Sequence, residues 1–118
     1  MQEAARGVSL IIMMALTNEA LLETVRTRLV AGILPDKIIV FGTRSRGDAR
    51  FDSDLDLVVV ANLPGSLGDR SRAVRAHLMD LPVPMDVVVY TPEEFARLRE
   101  WRSSIAGIAD RDGRVLHG

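Results

Sequence analysis

Three aspartates in this 118-residue sequence stand where a carboxylate is costly. Asp54 and Asp56 open the run DLDLVVVA, and Asp86 is second in MDVVVY. Both runs read as β-strands. Side chains alternate along a strand, so Asp54 and Asp56 share a face, with α-carbons about 6.6 Å apart. Carboxylates side by side on an apolar strand repel one another and resist desolvation unless a cation lies between them. Upstream, Gly42 closes the run KIIVF and is followed by Thr43, Arg44, Arg46 and Arg50. A glycine there lets backbone amides approach a phosphate, and a helical turn starting at Thr43 would aim its positive end at an anion. Carboxylates for a metal, together with amides, a hydroxyl and arginines for phosphate, describe a site for magnesium triphosphate. Each feature alone has a plainer reading: an acidic pair at a strand end, a solvated loop, a glycine turn. The combination carries the argument.

Competing motifs fail by position. Asp52, Asp54 and Asp56 resemble the start of a calcium loop, but Leu57 and Leu63 stand where that loop needs Gly and Glu. A phosphatase-type aspartate would follow its apolar strand, whereas this pair precedes it. No G-x-x-x-x-G-K-[ST] string is present. Neither histidine has a partner at ligand spacing; His77 reads as a partly buried helix residue and His117 as a tail residue. Trp101, Tyr90 and the methionines read as core or interface.

The elements that must position these residues follow from periodicity and punctuation. Leu21, Val25 and Leu29 recur every four residues, with Leu22 beside them, so a helix is expected from Thr17 or Asn18 to about Ala31, stopped by Gly32 and Pro35. Lys37–Phe41 is a strand. Only Thr43–Ser53 separates Gly42 from Asp54, which places the first strand antiparallel to the second with Gly42 near the carboxylates. Ser66 and Asp69 form a capping box for a helix to about Leu81, with Ala73, Val74, His77, Leu78 and Leu81 inward. If that helix is an ordinary crossover, the strands carrying Asp54–Asp56 and Asp86 run parallel, and the three carboxylates meet at one rim. Thr91-Pro92-Glu93-Glu94 starts a further helix through about Trp101. Ser103 or Ser104 opens another, and Val115-Leu116-His117 adds an edge strand.

The length fits one domain, residues 1–118. Fifteen Lys and Arg nearly balance sixteen Asp and Glu, giving no electrostatic reason to expect nucleic acid as the main partner. The absence of cysteine excludes disulfides, thiolate zinc and a cysteine nucleophile, and fits a cytoplasmic protein. The apolar stretch Val8–Leu16 is shorter than the about 20 residues a bilayer span requires and lacks the flanks of an export signal. Residues 1–13 read as a disordered or upstream extension, with Met13 or Met14 an alternative start.

Gly42-Thr43, ten residues, then Asp54-Leu55-Asp56 resembles the G-S-x10-D-x-D signature of the polymerase-beta-like nucleotidyltransferase superfamily. The longer string GTRSRGDARFDSDLDLVVV is similar to that of the minimal nucleotidyltransferases. The resemblance implies an α/β (α+β) fold, a small mixed sheet of three to four strands flanked by helices. It implies transfer of a nucleoside monophosphate, AMP from ATP being the expected case, to an acceptor hydroxyl with release of pyrophosphate. By the same carry-over, Asp54, Asp56 and Asp86 are catalytic and hold two magnesium ions, Asp86 serving the acceptor side. Gly42 and Thr43 contact the triphosphate, with Arg44 and Arg46 as helpers. Thr43 departs from the family's serine, keeping the hydroxyl but stiffening the rotamer. Minimal proteins of this kind resemble antitoxins paired with a helical HEPN protein, in some cases adenylylating its tyrosine. The expected acceptor is therefore a partner protein, with a homo-oligomer the other way to complete the site. The alternatives are a contact-only antitoxin or binding module, and an enzyme with a small-molecule acceptor.

Overall fold

A computed structural model describes residues 17–46, 49–50 and 53–118. The expectation for residues 1–13 lies outside the described residues. The order is α1 (Asn18–Ile33), β1 (Lys37–Phe41), a 3-10 turn (Gly42–Ser45), β2 (Leu55–Val60), α2 (Leu67–Arg75), β3 (Met85–Tyr90), α3 (Pro92–Leu98), α4 (Ile105–Asp112) and β4 (Arg114–His117). The strands form one four-stranded mixed sheet in the order β3-β2-β1-β4. β1 is antiparallel to β2 and to β4, and β2 is parallel to β3. The mixed α/β sheet flanked by helices is the architecture expected for a nucleotidyltransferase. No helix among the described residues is long and apolar enough to cross a membrane.

The centre of β1 is buried, as a central strand covered on both faces must be. On one face, Ile38, Val40, Leu57, Val59, Val87 and Val89 pack under Leu21, Leu22, Val25 and Leu29 of α1 and Val74 of α2. On the other, Ile39, Val58, Val60 and Tyr90 pack under Phe95 of α3 and Ala106 and Ala109 of α4.

Three of the helices start as the sequence predicts. The Thr17 hydroxyl accepts from the Ala20 amide at 3.1 Å. Both capping boxes close reciprocally: Asp69 N–H to Ser66 Oγ at 3.1 Å with Ser66 N–H to Asp69 Oδ2 at 3.0 Å, and Glu94 N–H to Thr91 Oγ1 at 3.2 Å with Thr91 N–H to Glu94 Oε1 at 2.8 Å. Ser104, one of two candidates, caps α4 by accepting from Gly107 N–H.

The helix ends differ. α1 runs through Gly32 to Ile33, because Leu34 supplies the left-handed cap (φ 51°). Gly32 instead makes room for His77: a Cβ on it would lie 2.6 Å from the imidazole Cε1. α2 stops at Arg75 rather than Leu81, its last residues tightening into turns such as His77 N–H to Val74 O and Leu78 N–H to Arg75 O. Arg28 of α1 explains the departure, since it donates to the His77 carbonyl and pairs with Asp80, drawing this segment onto α1. Val74, Leu78 and Leu81 are buried as expected, but Ala73 and His77 are exposed. α3 ends at Leu98, and Trp101, expected in core or interface, is 66% exposed.

The edge strand β3 is held from outside its ladder. Ser71 Oγ donates to Val87 O at 2.8 Å, and Arg70, paired with Glu94 at 2.6 Å, donates to Val89 O at 3.3 Å. These bonds satisfy carbonyls that an edge strand would otherwise present to solvent.

Candidate active site

The register brings the carboxylates together. Asp56 is the direct partner of Asp86 across the parallel β2–β3 pair and of Phe41 across the antiparallel β1–β2 pair. Neighbouring strands lie about 4.8 Å apart, so Asp56 sits between Asp86 and the end of β1. By alternation Asp56 shares a face with Val58 and Val60, and Asp86 with Val88 and Tyr90. This is the face whose far end α3 and α4 cover. Near the carboxylates the cover is lost: Val60 and Tyr90 are buried, Val88, Phe41 and Asp56 are half-buried, and Asp54 and Asp86 are exposed.

The electrostatics match this placement. Burial pushes the Asp56 carboxyl above the ordinary aspartate range, and the charges of Asp54 and Asp86 raise it further. Asp56 is thus the electrostatic centre of the trio. Among the described residues no group of three His, Cys, Asp or Glu side chains forms a ready-made metal cage. What the three aspartates share is a rim and a field.

Gly42 adjoins this centre. Its φ of 75° is a conformation L-residues avoid, and a Cβ there would lie 2.7 Å from Asp56 Oδ2. Glycine is therefore required by the turn, and the Asp56 carboxylate lies against the space that a side chain would fill. The 3-10 turn that follows has no side-chain cap among the described residues, and Ser45 Oγ donates to Gly42 O at 2.6 Å. Thr43 and Arg46 are exposed at this turn.

Arg44 departs from its expected place. It is 2% exposed, the buried charged residue of this region. Its guanidinium donates to the Ser53 carbonyl through Nε at 3.0 Å and Nη2 at 2.7 Å, to Arg50 O at 3.3 Å, and to Asn18 Oδ1 at 3.1 Å. Arg44, expected as a helper at the triphosphate, bonds Ser53 and Arg50 of its own loop and Asn18 of α1. Asn18 Nδ2 donates back to Arg44 O at 2.9 Å. By sequence Asn18 is only an alternative cap and Ser53 only a loop residue, since no local signal marks a residue whose partner is 26 positions away.

The Nucleotidyltransferase domain family matches residues 19–108, most of the chain. The chain belongs to that family. No curated protein matches it in sequence. Nucleotidyl transfer is accordingly the activity class of this nucleotidyltransferase domain, and a nucleoside triphosphate its substrate. The matched span contains β1, the turn at Gly42, β2 and β3, and so all three aspartates.

The family generally uses a divalent metal, and the chemistry of the three carboxylates, though not a preformed cage among the described residues, is of the kind that would take one. Three carboxylates at one rim, one of them disfavoured as an anion by burial and by the other two, are hard oxygen ligands whose repulsion a divalent cation would offset. A divalent ion held there would supply charge stabilisation to the transferring phosphoryl oxygens.

Proposed function

We propose that this nucleotidyltransferase domain transfers AMP from ATP, with magnesium, to a hydroxyl of a partner protein, and that it serves as the antitoxin of a HEPN-type pair. The observation that carries the chemical part is the register Asp56↔Asp86 with Gly42 against Asp56. In this reading Asp54 and Asp56 would hold the metal, which would offset the charge of the triphosphate. Asp86, on the edge strand, serves the acceptor side and receives the hydroxyl proton. Gly42 and Thr43 meet the phosphates, with the exposed Arg46 adding charge.

A protein acceptor is supported by the apolar surface around the start of α4. Exposed Trp101, Ile105 and Ile108 offer apolar surface of the kind that partners cover.

The test is transfer of label from each α-labelled nucleoside triphosphate, with magnesium, with and without a HEPN-type partner. The expected result is label on a partner hydroxyl, ATP preferred, and loss of at least about a hundredfold in Asp54→Asn and Asp56→Asn while both stay folded. Transfer retained in both variants would remove the metal assignment. Suppression of the partner without label, undiminished in Asp54→Asn, would identify the contact-only antitoxin instead.

A further inference from the structure

Among the described residues of the loop joining Gly42 to Asp54, the buried side chain is that of Arg44. Arg44 leaves the 3-10 turn and places two donors on the Ser53 carbonyl, whose peptide bond leads directly into Asp54. The same guanidinium reaches Arg50 O, while Ser53 N–H donates to Arg50 O at 3.0 Å and Arg50 N–H to Ser53 Oγ at 2.9 Å. The far end of the loop is therefore a small bonded unit with Arg44 at its hub. The hub is anchored to the start of α1 by the two-way bond with Asn18. Beyond Asp54, Leu55 N–H donates to Pro84 O at 2.8 Å, two residues before Asp86. One continuous set of bonds thus runs from Asn18 through Arg44 and Ser53, past Asp54, to the start of β3.

Building on the nucleotidyl-transfer reading above, we propose that Arg44, held by Asn18, is a positioning residue that fixes Asp54 relative to the Gly42–Thr43 turn. It contacts loop carbonyls rather than the triphosphate, and its effect on transfer runs through the placement of a metal ligand. Of the three proposed ligands only Asp54 lies outside a strand, preceding β2 by one residue, so the ladder that places Asp56 and Asp86 does not by itself place Asp54. A planar fork with donors on several sides suits this task; a lysine ammonium is a single point that cannot reproduce it. Groups that orient metal ligands from behind alter affinity or activity by about 10–100-fold when removed.

The test compares wild type with Arg44→Lys, Asn18→Ala and Asp54→Asn. It measures Mn2+ binding by loss of the free-ion electron paramagnetic resonance signal in the presence of a non-hydrolysable ATP analogue, alongside kcat and KM for ATP and thermal stability. Asn18→Ala removes the anchor but leaves the guanidinium its bonds to Ser53 O and Arg50 O, so it stays informative should Arg44→Lys fail to fold. The expected result is Mn2+ affinity and kcat lowered about tenfold or more in the folded positioning variants, with KM for ATP changed less than about threefold, since a positioned ligand acts on the reacting geometry more than on nucleotide capture. If Asn18→Ala, and Arg44→Lys where folded, lose only thermal stability while Mn2+ affinity and kcat hold, Arg44 is merely structural and the inference is overturned, with the metal reading intact through Asp54→Asn. If the wild type shows no Mn2+ binding that Asp54→Asn removes, the metal reading itself fails and the inference with it.

Discussion

The two faces of the sheet are built to different rules. Strand β2 shows the contrast within six residues: Leu55, Leu57 and Val59 are fully buried on one face, while Asp56 on the other is half-buried at the rim. Beneath α1 and α2 the packing is aliphatic from end to end. Beneath α3 and α4 it closes only the end away from the carboxylates, and α4 does so with small residues. Ala106 and Ala109 let its backbone come close to the sheet, and Gly107 lets it pass the α3–α4 connection, where a Cβ would lie 2.3 Å from Trp101 O. The difference separates stability from chemistry. One face supplies the apolar burial that holds the sheet, and the other leaves room for groups that the fold by itself disfavours.

The largest effect should follow from breaking the closed face. Leu29 is fully buried on the inner side of α1, and Leu29→Ala should lower unfolding stability by about 2–5 kcal/mol. Denaturant unfolding measures the loss. Metal binding per folded molecule should hold, because Leu29 belongs to the packing cluster of the opposite face. A fall in Mn2+ affinity matching the fall in stability would show that the two faces are not separable.

Asp56→Asn should act in the opposite sense, abolishing transfer while raising stability at neutral pH in the absence of metal. A carboxyl raised above its unfolded value carries an ionisation penalty that is absent below the unfolded pKa and complete above the raised folded one. Wild-type stability therefore declines as pH climbs through that window, and the decline attributable to this residue vanishes in Asp56→Asn. Thermal melts across the acidic range without metal, then with magnesium, measure it. Magnesium should stabilise the wild type more than the variant, as a ligand bound only by the folded state must. A variant less stable than wild type at every pH would assign Asp56 a structural bond outweighing its repulsion.

Much of this arrangement was legible in the sequence because it depends on local rules. Alternation placed Asp56 on the face opposite Leu55 and Leu57, the short connection made β1 and β2 antiparallel, and the capping boxes at Ser66 and Thr91 announced two helices. The shifted pieces depend on contacts distant in sequence. Arg44 reads as a loop charge until Asn18 and Ser53 surround it, and its type favours solvent or phosphate. Gly32 reads as a helix stop until His77 occupies the space it leaves. The end of α2 is set by Arg28, which captures the His77 carbonyl and Asp80 from another helix. No periodicity encodes such pairings, so they appear only when the elements are packed.

The smallest effect concerns the last turn of α1, on the closed face. Leu34 holds the left-handed cap at φ 51° while 80% exposed, so it bears a steric cost with little burial to offset it. Glycine adopts this conformation freely and is the usual residue there. Leu34→Gly should raise stability by about 0.5–1 kcal/mol, less the entropy that glycine adds to the unfolded chain. The gain should appear as a melting temperature a few degrees higher, with transfer activity unchanged. A loss of stability would mean that the exposed leucine side chain contributes more than its backbone costs. Unchanged activity alongside the gain would set the result beside Asp56→Asn: one variant strengthens the fold from the closed face and spares the chemistry, while the other strengthens it at the open rim only by removing the chemistry.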